Sequence, residues 1–210
     1  MGLRVKIFAG PNDYDVGRLY RRDPDELRVG VDSGLERMLA AGIPIDVAIG
    51  DFDSIDPAFL PAVRAAAGIV VELPKRKDVT DLAYAVEYVL KRHAVDGIVV
   101  FGGIGGRVDH LFANVNLMKR HDITFEDDCT RMTALPPGVH RLANVRPHVS
   151  FFALEPCRGL SLRGFSYELT DYDLNPGDSL CVSNSGQGEI AFATGRLLVV
   201  ASDDPASPLR

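Results

Sequence analysis

The chain has 210 residues, 46% of them hydrophobic and 25% charged, and a formal net charge of -6. This is the composition of a globular protein with enough length for one large core or two modest ones, and it excludes a disordered chain. The acidic balance offers no attraction to a nucleic-acid backbone, so a general DNA or RNA binder is excluded too, although an acidic enzyme still binds nucleotides where metal ions and a few placed cations meet the phosphates.

The opening Met1-Gly2-Leu3-Arg4-Val5-Lys6 runs straight into a strand-like segment without the apolar core of a signal peptide, and no apolar run reaches membrane length. The expected location is the cytoplasm, with no membrane partner. Cys129, Cys157 and Cys181 are far apart and form no CxxC pair. They read as reduced thiols buried as small hydrophobes.

In chain order, five short runs rich in β-branched residues read as strands: Val5–Ala9, Leu27–Val31, Ile45–Ile49, Ile69–Leu73 and Ile98–Phe101. Helical patterns lie between them. Leu35, Met38 and Leu39 have helical spacing. Pro57 suits a first helical turn behind a cap at Asp56. Leu82, Ala85, Val86, Val89 and Leu90 follow the i, i+3, i+4, i+7 rule, as do Val108, Leu111, Phe112, Val115 and Met118. Alternation of this kind predicts crossover units and a mostly parallel sheet.

Near residue 125 the helical pattern stops. Pro136-Pro137-Gly138, Gly159, Gly164, Asn175-Pro176-Gly177-Asp178, Ser185-Gly186 and Gly195 punctuate short runs such as Leu160–Leu162, Leu180–Val182 and Leu197–Val200. These predict a small all-β sandwich or roll. Asp203 to Pro208 reads as a frayed tail. The expected fold class is therefore α/β: a Rossmann-like, mostly parallel sheet with helices over residues 1–124, then an all-β sandwich domain over 125–210.

In an open α/β sheet, ligands bind beyond the carboxyl ends of the strands. Asp32 follows the second predicted strand, Asp51 and Asp53 the third, and Asp78 and Asp81 come shortly after the fourth. Gly102-Gly103-Ile104-Gly105-Gly106 follows the fifth, with Arg107, Asp109 and His110 next. All these polar clusters fall on one rim. On an extended segment Asp51 and Asp53 point the same way, with Phe52 turned inward. Paired hard oxygens suit Mg²⁺, which shares its other positions with water and substrate phosphates. Asp53, Ser54 and Asp56 also suit a helix cap, and the surrounding acids favour the metal reading.

Lys77-Asp78-Val79-Thr80-Asp81 opens an amphipathic helix. Thr80 or Asp78 suits its N-cap, Lys77 reads as a phosphate-facing cation beside Lys75 and Arg76, and Asp81 as a metal ligand or positioner. The loop from Gly102 to Gly106 lets backbone N–H groups approach phosphates. It is neither a Walker loop nor a dinucleotide fingerprint, lacking GK[ST] and an acid at about 20 positions beyond. Arg107 suits a phosphate clamp, Asp109 and His110 its orientation or proton acceptance, and Asn114 shares a helix face with His110. His93, His121, His140 and His148 have no ligand spacing and read as surface or structural.

Four ordered motifs resemble those of thiamine pyrophosphokinases: Val31-Asp32-Ser33-Gly34, Ile49 to Ile55, Lys77 to Asp81, and Gly102 to His110. Gly159 to Leu169, Val182-Ser183-Asn184 and Gly195 to Val200 look like that family's second domain. The resemblance implies transfer of a diphosphate from ATP to the hydroxyl of thiamine, giving thiamine diphosphate and AMP, with Mg²⁺ as cofactor. It implies Asp51, Asp53 and Asp81 as metal ligands, with Arg107 and Asp109 completing the catalytic set. It implies an ATP site of Lys77, Asp78, Thr80, Gly103, Gly105, Gly106, Arg107, His110 and Asn114, and a thiamine site of Asp32, Ser183 and Asn184. It also implies a homodimer with shared active sites. Ser33 stands where the family usually has glycine. The chain has no Trp, so a Phe or Tyr would stack on thiamine. Two alternatives share the same rim: a pterin-alcohol pyrophosphokinase and a non-catalytic nucleotide-binding sensor.

Overall fold

A computed structural model of the chain describes residues 2–10, 14–143 and 146–204. It divides into two units. The first comprises Met1–Leu117 with Phe125–Asp128, the second Met118–Thr124 with Cys129–Arg210.

The first unit begins with β1 (Leu3–Ala9), a short helix α1 (Val16–Leu19), β2 (Glu26–Val31), α2 (Gly34–Ala40) and β3 (Ile45–Gly50). It continues with α3 (Leu60–Ala66), β4 (Ala67–Glu72), α4 (Asp81–Arg92), β5 (Val95–Phe101) and α5 (Val108–Met118). The strands lie in the order β4-β3-β2-β1-β5, and every pair is parallel. Parallel strands covered on both faces are apolar along their length. Ile7, Phe8, Val29, Ala48, Ile49 and Val100 are accordingly fully buried. The chain order reverses between β1 and β5, which leaves a crevice at their carboxyl ends.

Helix α4 is placed by its sequence. Thr80 is its N-cap, with Oγ1 accepting from the Ala83 N–H at 3.2 Å. Asp81 complements the dipole in the first turn, and Lys91 and Arg92 do so in the last. Leu82, Ala85, Val86 and Val89 form its buried stripe.

Some expectations change. Pro57 lies in a turn held by Ala58 N–H to Asp56 Oδ1 (2.9 Å), and the helix begins later, at Leu60, with Pro61 in its first turn. On α5 the buried positions are Asn114, Leu117 and Met118, while Val108 and Phe112 face solvent at 64% and 67% exposure. The apolar spacing named the helix correctly and its buried face wrongly, because a polar residue occupies the inward position.

The second unit holds β7 (Thr130–Leu135), β8 (Gly138–Leu142), β9 (His148–Phe165), β10 (Leu169–Leu174), β11 (Gly186–Phe192) and β12 (Thr194–Ser202). Strand β6 (Ile123–Glu126) is split by the division into units. Among the described residues β12 pairs antiparallel with β7 and β9, and β9 also pairs antiparallel with β10 and β11, which in turn pairs antiparallel with β8. Val149, Phe151, Leu160, Leu162, Ile190 and Leu197 are at the centre of its core.

Gly159 and Gly164, expected at turns between short strands, lie instead within the single 18-residue strand β9, where positive φ values of 69° and 83° bend it. Leu180–Val182, expected as a strand, is a turn, and Asn184 forms an isolated bridge to Val149. Asp203 and Asp204 are tied down rather than frayed: Asp203 N–H donates to Cys129 O (2.9 Å), and Asp204 pairs with His148 (2.7 Å). Pro205–Pro208 lie outside the described residues. Cys157 and Cys181 are buried as expected, but Cys129 is exposed. Among the described residues no helix is long and apolar enough to cross a membrane.

Candidate active site

The carboxyl ends of the parallel strands open onto a cleft of about 260 Å³. Ala9 and Gly10 reach it from β1, Asp32 and Ser33 from β2, and Asp51, Asp53 and Ser54 from β3. Thr80 and Asp81 come from the start of α4. Gly103, Gly105, Arg107, His110 and Asn114 come from the β5–α5 connection. The rim selected in the sequence is thus brought together. Gly10 was missed, although the same rule applies to the end of β1.

The chain between β3 and α3 is a tight turn rather than an extended segment. Phe52 has φ of 58° and is buried, and Asp53 N–H donates to Asp51 Oδ1 at 3.3 Å. Asp51 and Asp53 are brought beside each other by this turn and not by strand alternation.

Asp51 Oδ2 lies 2.7 Å from Lys77 Nζ, and Asp81 Oδ1 lies 3.0 Å from the same ammonium. Lys77 also donates to the Pro74 carbonyl at 3.3 Å. Lys77 thus donates hydrogen bonds to Asp51 and Pro74 and makes an ion pair with Asp81, so its ammonium lies among the carboxylates. The hydrogen bond from Lys77 holds Asp51 below the ordinary carboxylate range. Burial pulls Lys77 downward, but its bonds to Asp51 and Asp81 outweigh that and leave it raised. Asp53 is exposed, its side chain lies beside Asp51, and it makes a loose ion pair with Lys75 at 3.8 Å.

Asp32 is the most perturbed acid. Its backbone has φ of 47°, and its carboxyl packs against Gly50, where a Cβ would lie 1.9 Å from Oδ1. Burial first, then repulsion from Asp81 and Asp51, push its pKa up to about 7, against a hydrogen bond from the Phe52 N–H. Oδ1 is buried without a hydrogen-bond partner among the described residues. Ser33, by contrast, has φ of -61°. Serine needs no glycine-like freedom there, and the unusual backbone belongs to Asp32.

Asn114 is buried and donates through Nδ2 to Gly103 O at 2.8 Å, pinning the glycine-rich loop to α5. Arg107 is forked onto Asp109, with Nε to Oδ1 at 3.1 Å, and the pair is exposed. The mutual hydrogen bond raises Arg107 and lowers Asp109. Asp78 and Gly106 are exposed and, with Lys77 and Asp109, do not line the cleft.

The chain belongs to the thiamine pyrophosphokinase family. A family model described as "Thiamin pyrophosphokinase, catalytic domain" matches residues 22–127, and one described as "Thiamin pyrophosphokinase, vitamin B1 binding domain" matches residues 139–199. A thiamine pyrophosphokinase of Bacillus subtilis (strain 168) is 34% identical over 94% of this chain and 97% of its own length. The solved thiamine pyrophosphokinase structure from Bacillus subtilis superposes with a TM-score of 0.84 at 30% identity, covering 97% of this chain and all of that one. The one from Geobacillus thermodenitrificans gives 0.83 at 30% identity, covering 97% and 99%.

The second unit holds the other residues the family resemblance singles out. Ser183, with φ of 60°, is exposed, and its N–H donates to Ser150 Oγ at 3.0 Å. Asn184 is 2% exposed. Its Oδ1 accepts from the N–H groups of Tyr167 (2.9 Å) and Ser185 (2.8 Å), and its Nδ2 donates to Tyr167 O (2.7 Å). The amide holds the Tyr167 and Ser183–Ser185 turns together, and Asn184 also lines a cavity with Leu162, Tyr167, Leu169 and Val182.

Among the described residues, no three His, Cys, Asp or Glu side chains converge closely enough to hold a metal unaided. Asp51, Asp53 and Asp81 all line the cleft but do not form a ready-made cage. The donors still fit Mg²⁺. They are hard oxygens, Asp32 Oδ1 is an orphaned buried acceptor beside them, and Mg²⁺ ordinarily takes only one or two carboxylates plus waters and phosphates.

Proposed function

We propose that the chain is a thiamine diphosphokinase, moving the diphosphate of ATP onto the hydroxyl of thiamine and releasing AMP. One observation carries the reading: a single chain joins the acidic rim within the catalytic-domain match to a vitamin B1 binding domain match over residues 139–199. That second match disfavours the pterin-alcohol alternative, whose rim would look the same.

On this reading the phosphates of ATP lie over the loop from Gly102 to Gly106. Its backbone N–H groups and the start of α5 favour negative charge there. Asn114 fixes the loop through Gly103. Asp51 and Asp81, with Asp53 and Asp32 nearby, would hold Mg²⁺ against the phosphate oxygens. When bound, the metal neutralises charge that builds on the transferring group. Arg107 exchanges its exposed pairing with Asp109 for a phosphate oxygen. The thiamine hydroxyl oxygen attacks the β-phosphorus in line. The new O–Pβ bond forms as the bond from Pβ to the α–β bridging oxygen breaks, and AMP leaves with that oxygen. The hydroxyl proton passes to a rim carboxylate, with Asp32 and Asp109 as the candidates. Positioning and electrostatics supply most of the acceleration.

The parallel strand order supports the Rossmann-like description of residues 1–124. The two antiparallel groups sharing β9 support a β-sandwich over 125–210 that binds thiamine through the Ser183 turn. The reading extends to a cytoplasmic homodimer with shared sites, which sedimentation tests: a fully active monomer overturns that part. The central test incubates the protein with ATP, Mg²⁺ and thiamine. AMP and thiamine diphosphate are expected. ADP rules out diphosphate transfer, and tight ATP binding without product favours the sensor.

A further inference from the structure

The Lys77 ammonium lies between two carboxylates that line the cleft, 2.7 Å from Asp51 Oδ2 and 3.0 Å from Asp81 Oδ1. The three side chains are only 13%, 11% and 18% exposed. Pro74 O, from the same loop, also accepts from the ammonium at 3.3 Å. Two carboxylates this close to one point repel each other unless a cation sits between them. In the arrangement described here that cation is Lys77.

We propose that Lys77 is a positioning residue that stands in for the divalent cation between Asp51 and Asp81 and sets the site's metal affinity by competing for those carboxylates. It holds both acids in place before the metal arrives. It gives up at least one of them when the metal binds, so loading the site exchanges one cation for another. The idea rests on the functional reading for the identity of the natural cation, but its test does not need turnover.

The probe is Mn²⁺, titrated into nucleotide-free protein and followed by the EPR signal of the free ion. Three proteins are compared: wild type, Lys77→Met, which keeps the apolar stem without the charge, and Lys77→Arg, which keeps the charge. Removing a unit charge a few ångströms from the site should tighten Mn²⁺ binding roughly tenfold in Lys77→Met, with Lys77→Arg near wild type. The melting temperature of Lys77→Met should fall in EDTA and recover with Mn²⁺ by more than wild type gains. A purely structural lysine would lower stability without that metal-dependent recovery. Lys77→Gln gives the same readout if the Met variant does not fold. Mn²⁺ binding no tighter in the neutral variants than in wild type overturns the proposal, as does loss of metal-free ATP affinity with Mn²⁺ affinity unchanged. Failure of the functional reading shows elsewhere, as wild type that makes no AMP and thiamine diphosphate while the Mn²⁺ comparison still gives its answer.

Discussion

Replacing Asn184 by alanine separates two roles that the residue type alone leaves together. If the side chain touched thiamine, the variant would lose affinity for that substrate and keep its stability. In the structure the amide makes three hydrogen bonds to backbone groups of Tyr167 and Ser185 at 2.7 to 2.9 Å, and the residue is 2% exposed. Hydrogen bonds of this kind contribute about 0.5–1.5 kcal/mol each, so losing all three costs roughly 2–4 kcal/mol. Asn184→Asp keeps the acceptor oxygen but places a second oxygen against Tyr167 O, so it should cost at least as much at neutral pH. The assay is urea unfolding followed by fluorescence and circular dichroism, with ATP affinity measured on the folded protein. Stability should fall by the stated amount, and ATP affinity should stay at the wild-type value because the nucleotide cleft lies in the other unit. A loss below about 0.5 kcal/mol together with a raised KM for thiamine would refute the structural role.

Gly34→Ala would place its Cβ 2.1 Å from Phe8 O and 2.8 Å from the Ala9 Cα. Backbone cannot yield there, so a loss of about 1–3 kcal/mol or more is expected by thermal unfolding; an unchanged melting temperature would count against the described packing of α2 on β1. Asp51→Asn should keep the circular dichroism spectrum and lower turnover by roughly a hundredfold or more, as expected when charge stabilisation at the reacting group is removed. Near wild-type turnover would remove Asp51 from the metal set. Asp32 has a folded pKa near 7, above its ordinary value of 3.8. The folded state then holds a proton that the unfolded chain has lost, and stability falls as pH rises from about 4 through 7. In EDTA, Asp32→Asn should flatten that slope, and equal slopes in both proteins would contradict the burial described. Of the three cysteines, only Cys129 is exposed, while burial pushes Cys157 up to about 11. A thiol reagent should therefore label one site quickly in the native protein and three after unfolding.

The strands of the first unit were legible because parallel, doubly covered strands are short, β-branched runs, as at Val29–Val31 and Ile45–Ile49. The rim was legible because the polar residues Asp32, Asp51, Asp81 and Arg107 follow those strands in order. What the residues did not disclose was orientation. Thr80 and Asp78 are both capping residue types, and only the Ala83 contact separates them. Lys77 reads as a phosphate-facing cation, and only the structure shows its ammonium between Asp51 and Asp81 with a hydrogen bond to Pro74 O. Phe52 was placed inward for the wrong reason, since a left-handed backbone and not strand alternation turns it. Gly159 and Gly164 carry the same signal whether they end a strand or bend one, and the pairing across the bend is a long-range fact.

Strand β9 has a consequence for how the second unit comes apart. It pairs directly with β10, β11 and β12, while β7 pairs with β12 and β8 with β11. No strand from β7 to β12 is more than two pairings away from it. Fraying at an edge stays local, but opening at β9 releases three of these five ladders at once. Its amide protons should therefore exchange with solvent last, at the rate set by complete unfolding of the unit.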